Sequence, residues 1–95
     1  MDIPLKLTLF GCEWGVKLVD GLIDDHNQYG MTNFQANVMS LDRSLPVDMQ
    51  WTTLVHEVIH VVNHCLALEF DEDTVCRLDA GLGQFVLQLV GGQNG

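Results

Sequence analysis

One run of ten residues constrains this chain more than any other: Thr53-Leu54-Val55-His56-Glu57-Val58-Ile59-His60-Val61-Val62, an H-E-x-x-H pattern set among apolar residues. On an α-helix, positions i and i+4 lie on one face, about 6 Å apart along the axis. His56 and His60 then stand side by side, where both can reach one zinc ion at roughly 2.0–2.1 Å. Glu57 follows the first histidine directly, so it sits beside the metal, placed to take a proton from a zinc-bound water. The plainer alternative is the polar stripe of an ordinary amphipathic helix. It fits poorly, because Leu54, Val55, Val58, Ile59, Val61 and Val62 go round most of the cylinder and predict a helix buried on nearly all sides. Buried ionisable groups need partners, and a metal would serve all three.

The rest of the composition narrows the class. A chain of 95 residues makes a single domain, 1–95, with a small core. Its 47% hydrophobic and 18% charged content is that of a globular protein and not a disordered one. No apolar run approaches the ~18 residues of a membrane span. The start, Met1-Asp2-Ile3-Pro4-Leu5-Lys6, lacks the basic region and small-residue cleavage site of a signal peptide. Cys12, Cys65 and Cys76 are odd in number and form no C-x-x-C pair, which points to reduced, buried thiols and a cytoplasmic location. A net charge of −9 argues against nucleic-acid binding, which needs basic surface. It suits a soluble monomer or a basic partner.

Leu5-Lys6-Leu7-Thr8-Leu9-Phe10 alternates with the period of a half-buried strand, and Trp14-Gly15-Val16-Lys17-Leu18-Val19 resumes it after a turn at Gly11-Cys12-Glu13. The two runs predict a β-hairpin. Asp20 to Asn33 is polar and reads as a loop, with Leu22 and Ile23 as an anchor or a short helical turn. A third strand is expected within Phe34–Leu41, with Phe34, Ala36 and Val38 on one face, followed by a connector ending in Pro46.

The H-E-x-x-H helix should begin near Asp48 as N-cap and run to about Leu66. A second helix is signalled by Asp71 as N-cap, with Glu72 and Asp73 complementing its dipole. Leu78, Leu82, Phe85 and Leu89 recur at helical spacing and predict its buried face. Gly81 and Gly83 weaken that helix by roughly 1 kcal/mol each relative to Ala and suggest a close approach to its neighbour. The tail Gly91–Gly95 should fray.

A catalytic zinc has three protein ligands and an open position, so a third donor is needed. His64 lies on the same stripe but about 12 Å along the axis from His56, and could join only if the helix broke at Asn63. It reads as a cleft residue or an exposed helix-end histidine. The acidic cluster Glu69-Phe70-Asp71-Glu72-Asp73 is the better source, since a helical hairpin returns it towards the first helix. Within it Glu72 points to the metal if Val75 and Leu78 face the core; Glu69 and Asp79 are further candidates. Cys76, four residues past Glu72, shares its face and either lines the site or reads as a buried small hydrophobe.

The run Thr53 to His60, with Glu72-Asp73-Thr74-Val75-Cys76-Arg77-Leu78 downstream, resembles small phage-encoded zinc metallopeptidases similar to the ImmA/IrrE branch of the gluzincins. The resemblance covers roughly Val38 to Val90, and the N-terminal strands more loosely. It implies zinc held by His56, His60 and Glu72, Glu57 as general base, and a small twisted sheet packed on the zinc helix. Together with the strand pattern, the expected fold is α+β and minimal zincin-like: a small three-stranded antiparallel sheet, the zinc helix and a second, C-terminal helix. The expected function is hydrolysis of peptide bonds in a restricted set of protein substrates, in the cytoplasm, or the host cytoplasm if phage-encoded. No residue declares itself the oxyanion donor; His64, Tyr29, His26 and Arg77 stand open. The rival expectations are a small acidic zinc-stabilised binding protein, whose closed site would recruit His64 or a cysteine, and a degenerate peptidase that binds without cleaving. A retained Glu57 speaks against both.

Overall fold

In the computed structural model, which describes residues 2–91, the N-terminal hairpin pairs β1 (Lys6–Leu9) with β2 (Cys12–Val19). Its turn is Phe10-Gly11, both at positive φ (53° and 77°), so it is tighter than the Gly11–Glu13 turn expected from the sequence. Positive φ at both central residues gives a twist that matches the flanking strands. A short helix, α1 (Leu22–His26), precedes β3 (Gly30–Asn33) and β4 (Val38–Asp42), and two long helices follow, α2 (Val47–Leu66) and α3 (Glu72–Gly91).

The α+β class stands, but the expected three-stranded antiparallel sheet does not. The sheet has four strands in the order β1-β2-β4-β3, and it is mixed: β2 and β4 run parallel, the other pairs antiparallel. The missed strand, Gly30-Met31-Thr32-Asn33, is too short and too polar to show a period. Phe34 to Asn37, expected in strand three, form the β3–β4 turn instead. Asn33 Oδ1 accepts the N–H groups of Gln35 and Ala36 (3.0 Å each), and Asn37 turns the chain at φ 54°. These Asx-type bonds offer the backbone a turn in place of a ladder.

One sheet face is dry. Trp14 and Val16 from β2 and Met39 and Leu41 from β4 are buried together, with Leu54 and Val61 of α2 closing the core. The pairings Gly30↔Leu41 and Thr32↔Met39 set Gly30 and Thr32 on this same face, looking at α2. Gly30 is required there. A Cβ would stand 2.9 Å from Thr53 Cγ2 and 3.3 Å from Glu57 Cγ, so glycine lets β3 lie against the helix.

Helix α2 starts at Val47, with Pro46 at its N-cap and Asp48 inside the first turn, so the cap lies two residues earlier than expected. It runs unbroken past Asn63 and ends at Ala67 in the left-handed region (φ 50°). Asp71 does cap α3, accepting the Thr74 N–H at 2.8 Å. The expected buried face of α3 is a larger departure: Leu78, Leu82, Phe85 and Leu89 are 37%, 45%, 56% and 59% exposed. Only Val75 and Gly83 of this helix are buried. A Cβ on Gly83 would stand 3.3 Å from Thr52 Cγ2 on α2, the close approach anticipated, whereas Gly81 faces open space. The three cysteines are free and exposed, not buried. Of the tail expected to fray, residues 92–95 lie outside the described residues, and Gly91 ends α3. No helix among the described residues is long and apolar enough to cross a membrane.

Candidate metal centre

The H-E-x-x-H run occupies the middle of α2, and its side chains divide by angle around the helix. His56 and His60 come together with ring centroids 4.8 Å apart and their Nε2 atoms 3.2 Å apart. The third member arrives from α3. Asn63 grips the connector between the helices with both ends of its amide: Phe70 N–H donates to Oδ1 at 3.0 Å, and Nδ2 donates to Phe70 O at 3.3 Å. With Phe70 pinned and Asp71 capping, the first residue of α3 is turned back onto α2. Glu72 Oε1 then lies 3.2 Å from His56 Nε2, and Oε2 lies 3.4 Å from His60 Nε2.

These separations suit a metal. Tetrahedral donors about 2.1 Å from an ion sit roughly 3.4 Å from each other; the two histidine nitrogens are 3.2 Å apart, and a different Glu72 oxygen approaches each of them, at 3.2 and 3.4 Å. One donor atom from each residue falls within 4.8 Å of the others. The hydrogen-bond partners point the same way. Asp79 Oδ2 lies 3.2 Å from His56 Nδ1, so an Nδ1–H donating to it leaves the Nε2 lone pair free for a metal. A carboxylate behind a histidine in this way is the usual support of a metal site.

Glu57 stays out of the cluster. Its side chain is buried beside β3, where the Thr32 hydroxyl donates to Oε1 at 2.7 Å. The cluster and Glu57 open onto a cleft of about 910 Å³ walled by β3 and the turn after it, α2 and the first half of α3, including Tyr29, Met31, Phe34 and Met49. Of the four open oxyanion candidates, only Tyr29 lines this cleft. Arg77 pairs with Asp73 at 3.1 Å. His64 lies off the cluster, its ring tilted on Phe34 with centroids 4.2 Å apart, so it supports the cleft wall. Glu69 is in the connector at φ 61° and does not join the donors. Cys76 is not buried but lines the cleft, the other of its two expected placements, with its Sγ 3.8 Å from Glu72 Oε1. Desolvation of that sulfur, then the charges of Glu72 and Asp79, push its thiol above the ordinary range. Sequence reasoning missed Thr32 and Asn63. Neither stands in a motif, and both act through a partner far along the chain or across a turn.

Comparison of the chain with protein-family models, with curated proteins and with solved structures returns no match.

Proposed function

We propose that this chain is a minimal zinc-dependent metallopeptidase of the gluzincin kind, with His56, His60 and Glu72 as metal ligands and Glu57 as the general base. The observation that carries the reading is the separate treatment of Glu57. A binding site or structural site needs no further carboxylate beside its donors, yet this one is buried, fixed by Thr32 and lines the same open cleft as the three donors. The resemblance of the H-E-x-x-H and Glu72 segments to small zinc metallopeptidases supports the same assignment. Bound zinc would polarise the scissile carbonyl and lower the pKa of the attacking water. Thr32 occupies Glu57 Oε1, which leaves Oε2 to take the water proton and deliver it to the leaving amine nitrogen. Asp79 holds the His56 ring with Nε2 turned towards Glu72. The outer strand β3 borders the cleft, and an extended peptide would add to its free edge as a further strand. A cleft with so few walls favours a restricted set of protein substrates.

The test is Glu57→Gln, which keeps size and hydrogen bonding but cannot act as a base. The variant should fold and hold zinc like the parent while losing cleavage, scored as new N-termini across a broad protein panel. If parent and variant cut alike, or the zinc-loaded parent cuts nothing, the protein is a zinc-stabilised binding module instead.

A further inference from the structure

One wall of the cleft carries an aromatic ring that is held in place yet left uncovered. Phe34 sits in the β3–β4 turn, whose shape is set by Asn33 Oδ1 accepting the Gln35 and Ala36 N–H groups at 3.0 Å each. Two other rings then fix its side chain. Trp14 meets it in a T-shape, with centroids 6.0 Å apart and planes at 87°, and His64 lies tilted against it at 4.2 Å. Trp14 belongs to the buried core, so Phe34 is anchored there. Despite these contacts Phe34 stays 38% exposed and lines the cleft that holds His56, Glu57, His60 and Glu72. A ring fixed in this way offers apolar area to a ligand at little further cost in side-chain entropy.

We infer that Phe34 is the specificity platform of the cleft, and that its ligand is an extended, non-acidic peptide segment with a large apolar or aromatic side chain two or three residues from the bond that is cut. Position sets the spacing. His64 lies six residues beyond the midpoint of His56 and His60, roughly 9 Å along the α2 axis, and Phe34 stacks on His64. An extended peptide advances about 3.3 Å per residue, so the side chain that reaches Phe34 belongs to the second or third residue from the metal centre. At the other end of the cleft the apolar side chain on α2 is Met49, nine residues before that midpoint and flexible, so the preference falls on one side of the bond. Charge sets the rest. Among the described residues the cleft is lined by Glu57, Glu72 and Asp79 and by no lysine or arginine. An acidic side chain of the ligand would meet like charge along these walls and no basic side chain to pair with. The preference rests on the peptidase reading for its reaction, but the platform binds whether or not the bond is cut.

The probes are short Ala-Ser host peptides carrying a single Phe, Leu, Ser or Asp at successive positions. With the zinc-loaded Glu57→Gln protein, calorimetry should find the Phe and Leu peptides bound about tenfold tighter than the Ser and Asp ones. Adding Phe34→Ala should abolish that difference while zinc affinity stays the same, and Phe34→Leu, which keeps an apolar surface, should retain part of it. Phe10→Ala, at an exposed aromatic away from the cleft, should change nothing. In the parent, cleavage of the same peptides should show the preference in kcat/KM, carried by KM, at the second or third position on one side of the bond. Equal binding of all four peptides, or a preference that survives Phe34→Ala, overturns the platform and leaves the peptidase reading in place. Tighter binding of the Phe and Leu peptides with no cleavage by the parent overturns the peptidase reading and leaves the platform. A preference next to the bond, or on both sides of it, overturns the spacing.

Discussion

Asn63 touches no metal donor, yet its removal should weaken the metal centre. Its amide makes two hydrogen bonds to the backbone of Phe70, and Glu72 follows two residues later. Asn63→Ala deletes both bonds and leaves the half-buried Phe70 N–H and C=O to find water. Each such bond contributes about 0.5–1.5 kcal/mol net, so the pair is worth about 1–3 kcal/mol. Expressed wholly in the metal site, that is roughly 5- to 150-fold in affinity. Part of the loss falls on overall stability, so a zinc affinity about tenfold weaker is expected. Asn63→Asp keeps the acceptor for Phe70 N–H but turns a carboxylate oxygen onto Phe70 O in place of the donor, so it should not restore the parent affinity. Competition against a chromophoric zinc chelator measures all three proteins, with Glu72→Ala as the reference for complete loss of the ligand. Unchanged affinity in Asn63→Ala would refute the idea that the connector clamp delivers Glu72 to the histidines.

On the proposed peptidase reading, Thr32→Val should leave zinc binding unaltered but lower turnover about 10- to 100-fold, the worth of one hydrogen bond to a charged group; equal turnover would remove Thr32 from the proposed machinery. Gly30→Ala forces a Cβ to within 2.9 Å of Thr53 Cγ2 and 3.2 Å of Ser40 O. Overpacking of that kind costs about 1–3 kcal/mol and should appear as a lower urea midpoint. Acid sensitivity should trace to Asp42. The Ser44 hydroxyl, then the Ile23 and Ser44 N–H groups, hold its carboxyl below the ordinary range. A carboxyl depressed by folding stabilises above its unfolded value of about 3.9, and that contribution fades as pH falls through the lower folded value. Urea midpoints followed from neutral pH into acid should therefore decline less steeply in Asp42→Asn than in the parent.

What the sequence disclosed and what it hid follow a physical pattern. The meeting of His56 and His60 on α2 was legible because H-E-x-x-H is a local geometric statement, true wherever the segment is helical. Asp71 was legible for the same reason, since a cap acts within three residues. Glu72 could be ranked above Glu69 and Asp79 only by supposing a helical hairpin, and its delivery depends on Asn63, whose partner lies across the turn. The sheet order was hidden because a four-residue strand beginning with glycine carries no period, and the parallel β2–β4 pair is set by a crossover that no local pattern encodes. The α3 face misled because spacing reports which residues share a side, not whether anything covers that side. The cysteines misled because a residue type usually buried stands here on helix surfaces, at Cys65 and Cys76, and beside the hairpin turn, at Cys12.

A zinc-loaded crystal structure with anomalous data at the zinc edge tests the central claim most directly. The account predicts one ion per chain, held by His56 Nε2, His60 Nε2 and the Glu72 carboxylate at about 2.0–2.2 Å, with no fourth protein ligand and Glu57 Oε1 still on Thr32. A site closed by His64 or Cys76, or a chain that takes up no zinc between these three residues, would contradict it.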